Sequence, residues 1–149
     1  MRKIEIFDST LRDGCQGEGI SYSVKDKLVV VDSLCELGVT YIEAGNPTSN
    51  PKDIEFFEKL KGVDTGATKI VAFGSTRRKN SVVAEDAAVK ALKNADTSCV
   101  AIFGKSWDMH VRDVLNATLE ENLAMIRDTL SYFKGLGKEV FFDAEHFFD

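Results

Sequence analysis

The sequence predicts an α/β fold built on a parallel sheet, and three observations lead to that prediction. Five short runs rich in β-branched and aromatic residues recur along the 149 residues, and between them lie four segments with apolar residues at spacings of three and four. Capping residues, glycine or proline stand at most of the junctions. Because strand and helix alternate, right-handed crossovers should make the strands parallel and cover the sheet with helices.

The predicted strands are continuous apolar runs, as expected of parallel strands that are buried on both faces. They cover residues 4–7, 41–44, 69–73, 99–103 and 139–142. Each is followed by polar residues, which places the polar groups at one edge of the sheet.

Two helices are predicted from apolar stripes, one from residue 24 to 34 and one from residue 119 to 133. Ser23 and Thr118 each stand three residues before an acidic side chain, a spacing that satisfies free amides at a helix start. Gly38 and Gly137 stand where these helices should end. Two shorter helices are predicted to begin at Asn50-Pro51, with proline in the first turn, and to cover about residues 86–95.

Two architectures fit this order of elements. One is a self-contained, five-stranded doubly wound sheet, and the other is the first five units of an eight-stranded (β/α)8 barrel, which needs roughly 250 residues. The hydrophobic pattern does not separate them.

Composition and charge exclude several classes of function. With 44% hydrophobic and 29% charged residues, the chain matches an ordinary soluble domain or part of one. A net charge of -5 argues against nucleic acid as a partner. No run of 18 apolar residues and no signal-like start is present, so we expect no membrane association and a cytoplasmic location. The three cysteines, odd in number and widely spaced, are expected to be reduced thiols.

The polar residues behind the strands are suited to chemistry beside a carbonyl. Asp13 is a hard oxygen ligand for a divalent cation, and Arg12 offers a positive fork to an enolate or alkoxide. Glu43 and Glu145 are carboxylates that can transfer protons. Taken alone, Arg12 and Asp13 are better explained as an ion pair within a turn, and Glu145 could be the polar end of a strand.

Residues 7–16, FDSTLRDGCQ, resemble the T-L-R-D-G-x-Q signature of metal-dependent acyl-CoA synthases and lyases that share an aspartate-arginine-glutamate trio on a (β/α)8 barrel. Further stretches are similar to the citramalate synthase and 2-isopropylmalate synthase branch of that group. They are residues 41–45, 50–53, 71–78, 102–111, 118–126 and 143–149. The resemblance implies that residues 1–149 are the N-terminal part of a barrel catalytic domain, with the remaining strands and any C-terminal regulatory domain outside this chain.

The resemblance also implies roles for individual residues. Asp13 would bind the catalytic divalent cation, Arg12 would stabilise the enolate oxygen, and Glu43 would hold the Arg12 side chain by a charge-assisted contact. Gln16 would line the substrate pocket. Glu145 would act in proton transfer or support a residue that does.

Two further points concern the pocket wall. Phe73, at the end of the third predicted strand, is expected to contact substrate. After Glu43 the branch usually reads Gly-Gly-Trp-Pro, whereas this sequence has Ala44-Gly45-Asn46-Pro47. The missing indole should change the shape of the pocket near the second strand.

The implied reaction is a Claisen-type condensation of acetyl-CoA with a 2-oxo acid, an acyl transfer that depends on Mg²⁺, Mn²⁺ or Zn²⁺. Pyruvate would give citramalate for isoleucine synthesis, and 2-oxoisovalerate would give 2-isopropylmalate for leucine synthesis. In this family a His-x-His pair on the seventh strand completes the metal site, so we expect residues 1–149 alone to bind no metal tightly and to be inactive. The open sheet should favour homo-oligomers. Two alternatives stay open, a retro-Claisen acyl-CoA lyase and a noncatalytic flavodoxin-like binding domain.

Overall fold

A computed structural model describes residues 4–148, and within them one five-stranded parallel sheet forms the centre of the molecule. The strands are β1 (Phe7–Asp8), β2 (Tyr41–Gly45), β3 (Lys69–Ser75), β4 (Cys99–Lys105) and β5 (Glu139–Glu145). Each strand pairs with the next one along the chain. This sequential order is the winding of a (β/α)8 barrel, whereas a doubly wound sheet reverses its order part-way. The barrel prediction is confirmed, and the flavodoxin-like alternative is wrong.

The sheet is strongly curled, so that strands far apart in the order meet across its concave face. The ring of Phe7 on β1 lies 5.2 Å from that of Phe141 on β5. The Tyr41 hydroxyl on β2 donates to Glu139 Oε1 on β5 at 2.8 Å. Five strands therefore form a half-barrel.

Four helices cover the convex face, and their ends follow the capping residues of the sequence. They are α1 (Val24–Leu37), α2 (Pro51–Leu60), α3 (Ala87–Asn94) and α4 (Leu119–Gly135). Ser23 and Asp26 form the reciprocal capping box at the start of α1, and Gly38 ends that helix at φ +80°. Asn50 caps α2 with Pro51 in its first turn. The four predicted helices are confirmed.

Alternation along the strands divides the apolar residues into two clusters. Outward-facing side chains such as Ile42, Ala72 and Ile102 pack with the helices in the main core. The second cluster lies on the concave face, where Val71 and Cys99 are fully buried. Burial of this apolar surface on both faces stabilises the half-barrel.

Glycine lets two helices approach the sheet closely. A methyl group at Gly74 on β3 would lie 2.8 Å from Leu92 Cδ1 on α3. One at Gly104 on β4 would lie 3.1 Å from Ile126 Cγ1 on α4. Larger residues at these positions would push the helices outward.

The strand bounds differ from the prediction in a consistent way. Residues 1–3 and 149 lie outside the described part of the chain, and residues 4–6 are not in a strand, so the predicted first strand is wrong for that part. The other four strands end one to three residues later than predicted, because polar side chains such as Ser75, Lys105 and Glu145 still occupy strand positions on the concave face. None of the helices in residues 4–148 is long and apolar enough to cross a membrane.

Candidate active site

A tight turn after β1 brings Arg12 back toward the sheet. The Asp8 carboxylate accepts hydrogen bonds from the Thr10 amide and hydroxyl, both at 3.0 Å. The amides of Arg12 and Gly14 then donate to the Ser9 carbonyl at 3.2 and 3.1 Å. Aspartate side chains favour such local turns because they bond the backbone two residues on. This turn fixes where the Arg12 side chain begins.

Glu43 holds the Arg12 side chain from the concave face of β2. Its Oε2 accepts from Arg12 Nε at 2.7 Å and from the Ser9 hydroxyl at 2.6 Å. The Glu43 side chain is only 3% exposed and that of Arg12 22%. Removal of a carboxylate from water is costly unless it is paired, so this contact explains how β2 accommodates a charge.

Phe73 contacts the other side of the same guanidinium. The Arg12 Cζ lies 4.1 Å from the centre of the Phe73 ring, close enough for a cation–π interaction. Phe73 in turn stacks on Phe103 at 5.1 Å. Arg12 is therefore fixed between a carboxylate and an aromatic ring, and the residue predicted to contact substrate also supports Arg12.

Asp13 lies beside this group but points to solvent. Its Oδ1 accepts from Arg12 Nη1 at 3.2 Å, and its side chain is 69% exposed. An exposed carboxylate oxygen is a suitable single ligand for a hard cation. Among residues 4–148, however, no group of three or more His, Cys, Asp or Glu side chains is placed to hold a metal ion. Asp13 fits one ligand position, and the described residues do not complete a site.

Gln16 lines a pocket next to Arg12. The pocket has a volume of about 330 Å³ and lies between the loops that follow β1 and β2, with Arg12 and Phe73 also in its wall. Gln16 belongs to a single 3-10 turn, Gly14–Gln16, and is exposed. Cys15 in this wall donates to the Leu11 carbonyl at 3.2 Å. Burial raises the pKa of the Cys15 thiol, which disfavours a nucleophilic thiolate.

Glu145 is the last residue of β5 and is paired with a lysine. Lys105, its direct neighbour on β4, donates to Glu145 Oε2. Two residues earlier on the same face, Asp143 lines the concave pocket that Arg12 and Glu43 also line. Glu145 is not among the residues that line this pocket, so Asp143 is the β5 carboxylate that shares a pocket with Arg12 and Glu43.

Two histidines and a tryptophan gather beyond β4 and β5. The rings of His110 and His146 are 4.5 Å apart, and Trp107 packs 4.7 Å from His110. The Nδ1 atom of His110 is buried without a hydrogen-bond partner among the described residues. The two histidines therefore pack against each other, and His110 also packs against Trp107.

Sequence reasoning missed several residues that contact the site. The Ser9 hydroxyl shares the Glu43 carboxylate, and Lys27 and Asp53 form a buried ion pair below the Gln16 pocket. Lys27 lies four residues before Val31 and three after Val24, within the apolar stripe of α1. A lysine in such a stripe is a signal of a buried partner. No comparable pattern around Lys105 predicts its ion pair with Glu145.

Comparison with known proteins places the chain in a family. The sequence profile of the HMGL-like family matches residues 3–149. The chain belongs to the HMGL-like family. Solved structures of HMG-CoA lyases share the half-barrel. HMG-CoA lyase from Pseudomonas aeruginosa superposes with a TM-score of 0.70 at 21% identity, covering 93% of this chain and 44% of the lyase. The Bacillus subtilis HMG-CoA lyase gives 0.67 at 19%, covering 93% and 45%. At these identities the likeness shows the fold alone.

Other proteins are much more similar to this chain in sequence. The (R)-citramalate synthase of Aquifex aeolicus is 54% identical over 147 residues, which are 99% of this chain and 28% of that enzyme. That of Sulfolobus acidocaldarius is 48% identical over the same shares. The 2-isopropylmalate synthase of Staphylococcus carnosus is 36% identical over 97% of this chain and 28% of its own length. The chain thus spans a little over a quarter of these curated relatives.

Proposed function

We propose that residues 1–149 are the N-terminal part of a barrel catalytic domain whose whole enzyme condenses acetyl-CoA with a 2-oxo acid. The observation that carries this proposal is the Arg12 guanidinium, fixed between Glu43 and Phe73 and adjacent to the exposed Asp13. A fixed cation beside an open carboxylate suits a reaction in which an oxyanion forms. The 54% identity to an (R)-citramalate synthase supports the same reaction.

Arg12 is the residue proposed to stabilise the enolate oxygen. A guanidinium has five N–H donors, and the contacts among the described residues use two of the Arg12 nitrogens, Nε and Nη1. The Nη2 side is available to a ligand. Because Glu43 and Phe73 already hold the group, little reorganisation is needed when charge develops on the substrate oxygen.

The chemistry requires a base as well as an oxyanion partner. A base removes a proton from the methyl group of acetyl-CoA, and the resulting enolate carbon bonds to the keto carbon of the acceptor, whose oxygen becomes a hydroxyl. Water then cleaves the thioester and releases free CoA thiol. We assign Glu145 to proton transfer or to the support of that step. Asp143, which shares the concave pocket with Arg12, is another carboxylate of β5.

A divalent cation, Mg²⁺, Mn²⁺ or Zn²⁺, is the cofactor proposed for the whole enzyme, since the HMGL-like family generally depends on such ions. When bound, it would polarise the ketone of the acceptor. From this chain Asp13 would supply one oxygen ligand. The remaining ligands would lie outside residues 4–148, so we expect no tight metal binding by this chain alone.

Pyruvate is the acceptor we favour, with citramalate as product. Its support is the higher identity to citramalate synthases, 54% and 48%, than to the 2-isopropylmalate synthase of S. carnosus, 36%. The HMG-CoA lyases are similar to this chain at 19–21% identity, where the likeness extends to the fold alone, so they do not favour the retro-Claisen alternative. Acetyl-CoA and a small 2-oxo acid are therefore the proposed ligands. We also propose that the whole enzyme is a homo-oligomer and that it acts in the cytoplasm.

The test is an assay of the longer protein that contains this chain. Release of CoA thiol from acetyl-CoA is measured with pyruvate and with 2-oxoisovalerate in the presence of Mg²⁺ or Mn²⁺. We expect release with pyruvate and a loss of at least about 100-fold in Arg12→Met, the size expected when an oxyanion donor is removed. Arg112→Met, which removes an exposed arginine paired with Asp108, is the matched control. Absence of release with either acid, or an Arg12→Met variant as active as the control, would contradict the proposal.

A further inference from the structure

A second ion pair lies between α1 and α2, close to the turn that carries Arg12. Lys27 Nζ lies 2.6 Å from Asp53 Oδ1, and the two side chains are 4% and 10% exposed. Lys27 is in the first turn of α1 and Asp53 in the first turn of α2. The pair therefore joins the two helices at the ends nearest the candidate active site.

The pair lies close to the backbone on both sides of the Arg12–Glu43 contact. Lys27 Nζ lies 3.5 Å from the carbonyl of Leu11, the residue before Arg12, and Leu11 is 1% exposed. On the β2 side, a methyl group at Gly45 would lie 3.3 Å from Lys27 Nζ. Gly45 has φ +137°, and the register of β2 against β3 shifts between Glu43 and Gly45. The ammonium thus contacts the backbone before Arg12 and fills the space beside Gly45, where a side chain would otherwise lie.

Further contacts leave neither charge without a partner. Asp53 Oδ2 accepts from the Ser49 hydroxyl at 2.8 Å, and the Lys27 ammonium lies 5.1 Å from the centre of the Phe56 ring. Buried ion pairs seldom add net stability over well-packed apolar residues, because both charges must leave water. What the charged pair adds over an apolar one is a directional constraint on the two loops.

We propose that Lys27 and Asp53 are positioning residues that set the geometry of the Arg12–Glu43 contact. Lys27 fixes the backbone before Arg12, and together with Asp53 it supports the irregular backbone after Glu43. The geometric part of this inference is independent of the reaction, and only its kinetic consequence rests on the proposed function.

Nuclear magnetic resonance tests the geometric part on this chain. The Arg12 Nε–H, which donates to Glu43, should exchange slowly with solvent in the unmodified protein. The double variant Lys27→Met/Asp53→Leu keeps the volume of the pair without its directional contacts. We expect its circular dichroism to remain native while Arg12 Nε–H exchange becomes at least about tenfold faster, because less free energy is needed to open the Arg12–Glu43 contact locally. Lys59→Met, which breaks an exposed pair with Glu55 on α2, should leave the exchange rate unchanged.

A native-like double variant with unchanged Arg12 Nε–H exchange would overturn the proposal. A measurement on the unmodified chain decides the matter if that variant does not fold. The Arg12 Nε–H and the Asp53 amide, which donates to Asn50, should show the same dependence on low concentrations of denaturant, because one opening exposes both. Independent opening of the Arg12 proton, with the Asp53 amide still protected, would contradict a shared constraint.

The kinetic consequence is measured in the longer protein. The double variant should lower kcat by about 10- to 100-fold and leave KM for acetyl-CoA and the 2-oxo acid within about twofold, because the displaced group acts on the developing oxyanion. Unchanged kcat in a folded variant would overturn the positioning role. If the unmodified protein shows no condensation at all, the proposed function fails, while the exchange measurements still decide the inference about Lys27 and Asp53.

Discussion

Replacement of Glu43 by glutamine removes one charge from the centre of the candidate site and keeps the shape of the side chain. In the structure Glu43 Oε2 accepts from both Arg12 Nε and the Ser9 hydroxyl, and the Glu43 side chain is 3% exposed. The amide oxygen of glutamine can still accept these bonds. Glu43→Gln therefore isolates the contribution of the charge.

The expected loss of stability follows from those two hydrogen bonds. A hydrogen bond to a charged group contributes about 1.5–3 kcal/mol and a neutral one about 0.5–1.5 kcal/mol, so neutralising the acceptor of two bonds costs about 2 kcal/mol. The loss should stay below the about 3–5 kcal/mol expected for breaking a fully buried pair. The loss of stability is smaller because the Arg12 side chain is 22% exposed, so water can solvate its charge when Glu43 is replaced. For a chain of this length the change lowers Tm by roughly 4–8 °C.

Urea unfolding followed by circular dichroism measures this loss, provided that the slope against urea stays the same. Glu55→Gln is the matched control, because Glu55 forms an exposed ion pair with Lys59 and should change stability by less than about 0.5 kcal/mol. If Glu43→Gln unfolds at the same urea concentration as this control, Glu43 does not hold Arg12 in a desolvated contact, and the account of the site is wrong.

Four further predictions concern packing, pH, metal and association. Gly74→Ala should destabilise the chain by about 1–3 kcal/mol, because its new methyl group meets Leu92. Gly135→Ala, with open space around it on α4, should stabilise by about 0.5 kcal/mol, and urea unfolding that ranks the two alike would contradict the packing argument. Burial of Asp86 opposes its ionisation, but hydrogen bonds from the amides of residue 78, residue 89 and residue 88 and from the hydroxyl of residue 81 outweigh burial and lower its pKa. A lowered folded-state pKa stabilises the protein above the unfolded pKa of about 3.9, and that stability is lost as pH falls through the folded value. Asp86→Asn should therefore show a smaller loss of stability between about pH 5 and pH 3 than the unmodified chain, and an equal loss would contradict the assignment. Titration calorimetry of this chain with Mg²⁺ or Mn²⁺ should give no saturable heat at micromolar metal, and tight binding would contradict the expectation of an incomplete site. Analytical ultracentrifugation should find the chain associated, since its concave face exposes large apolar side chains such as Phe7; a monomer at all concentrations would be against it.

Much of the fold was predictable because its signals are local. The caps Ser23, Asn50 and Asp86 each accept a hydrogen bond from an amide of the first helical turn, and this depends only on residues a few positions apart. The order of the strands in the sheet, by contrast, does not follow from residues that are close together in the sequence. The choice between a doubly wound sheet and a barrel required the resemblance, because hydrophobic pattern carries no information on which strands pair.

The strand ends were less predictable for a reason that also concerns function. An apolar run stops where polar residues begin, yet β4 continues to Lys105 and β5 to Glu145. On the concave face these polar side chains pair with each other instead of marking a loop. The first strand shows the opposite error, since Ile4 and Ile6 are apolar but 84% and 56% exposed. Both lie before β1, although the Ile6 carbonyl accepts from the Tyr41 amide of β2 at 3.0 Å.

In the candidate site too, some contacts were predictable from the sequence and others were not. Arg12, Asp13 and Glu43 could be selected because a resemblance pointed to them, and the predicted Arg12–Glu43 contact is present at 2.7 Å. The cation–π contact of Phe73 and the ion pair of Lys27 with Asp53 depend on distances between separate elements. No spacing along the chain encodes those distances, so they required coordinates.

The most direct test of the account asks whether Glu43 acts through Arg12. In the longer protein, kcat for acetyl-CoA-dependent thiol release is measured for Glu43→Gln, Arg12→Met and the two changes together. Residues that act as one unit have non-additive effects, so Glu43→Gln should lower kcat strongly beside an intact Arg12 and hardly at all once Arg12 is methionine. Losses that simply multiply in the double variant would contradict the account, because Glu43 would then act on the reaction independently of Arg12.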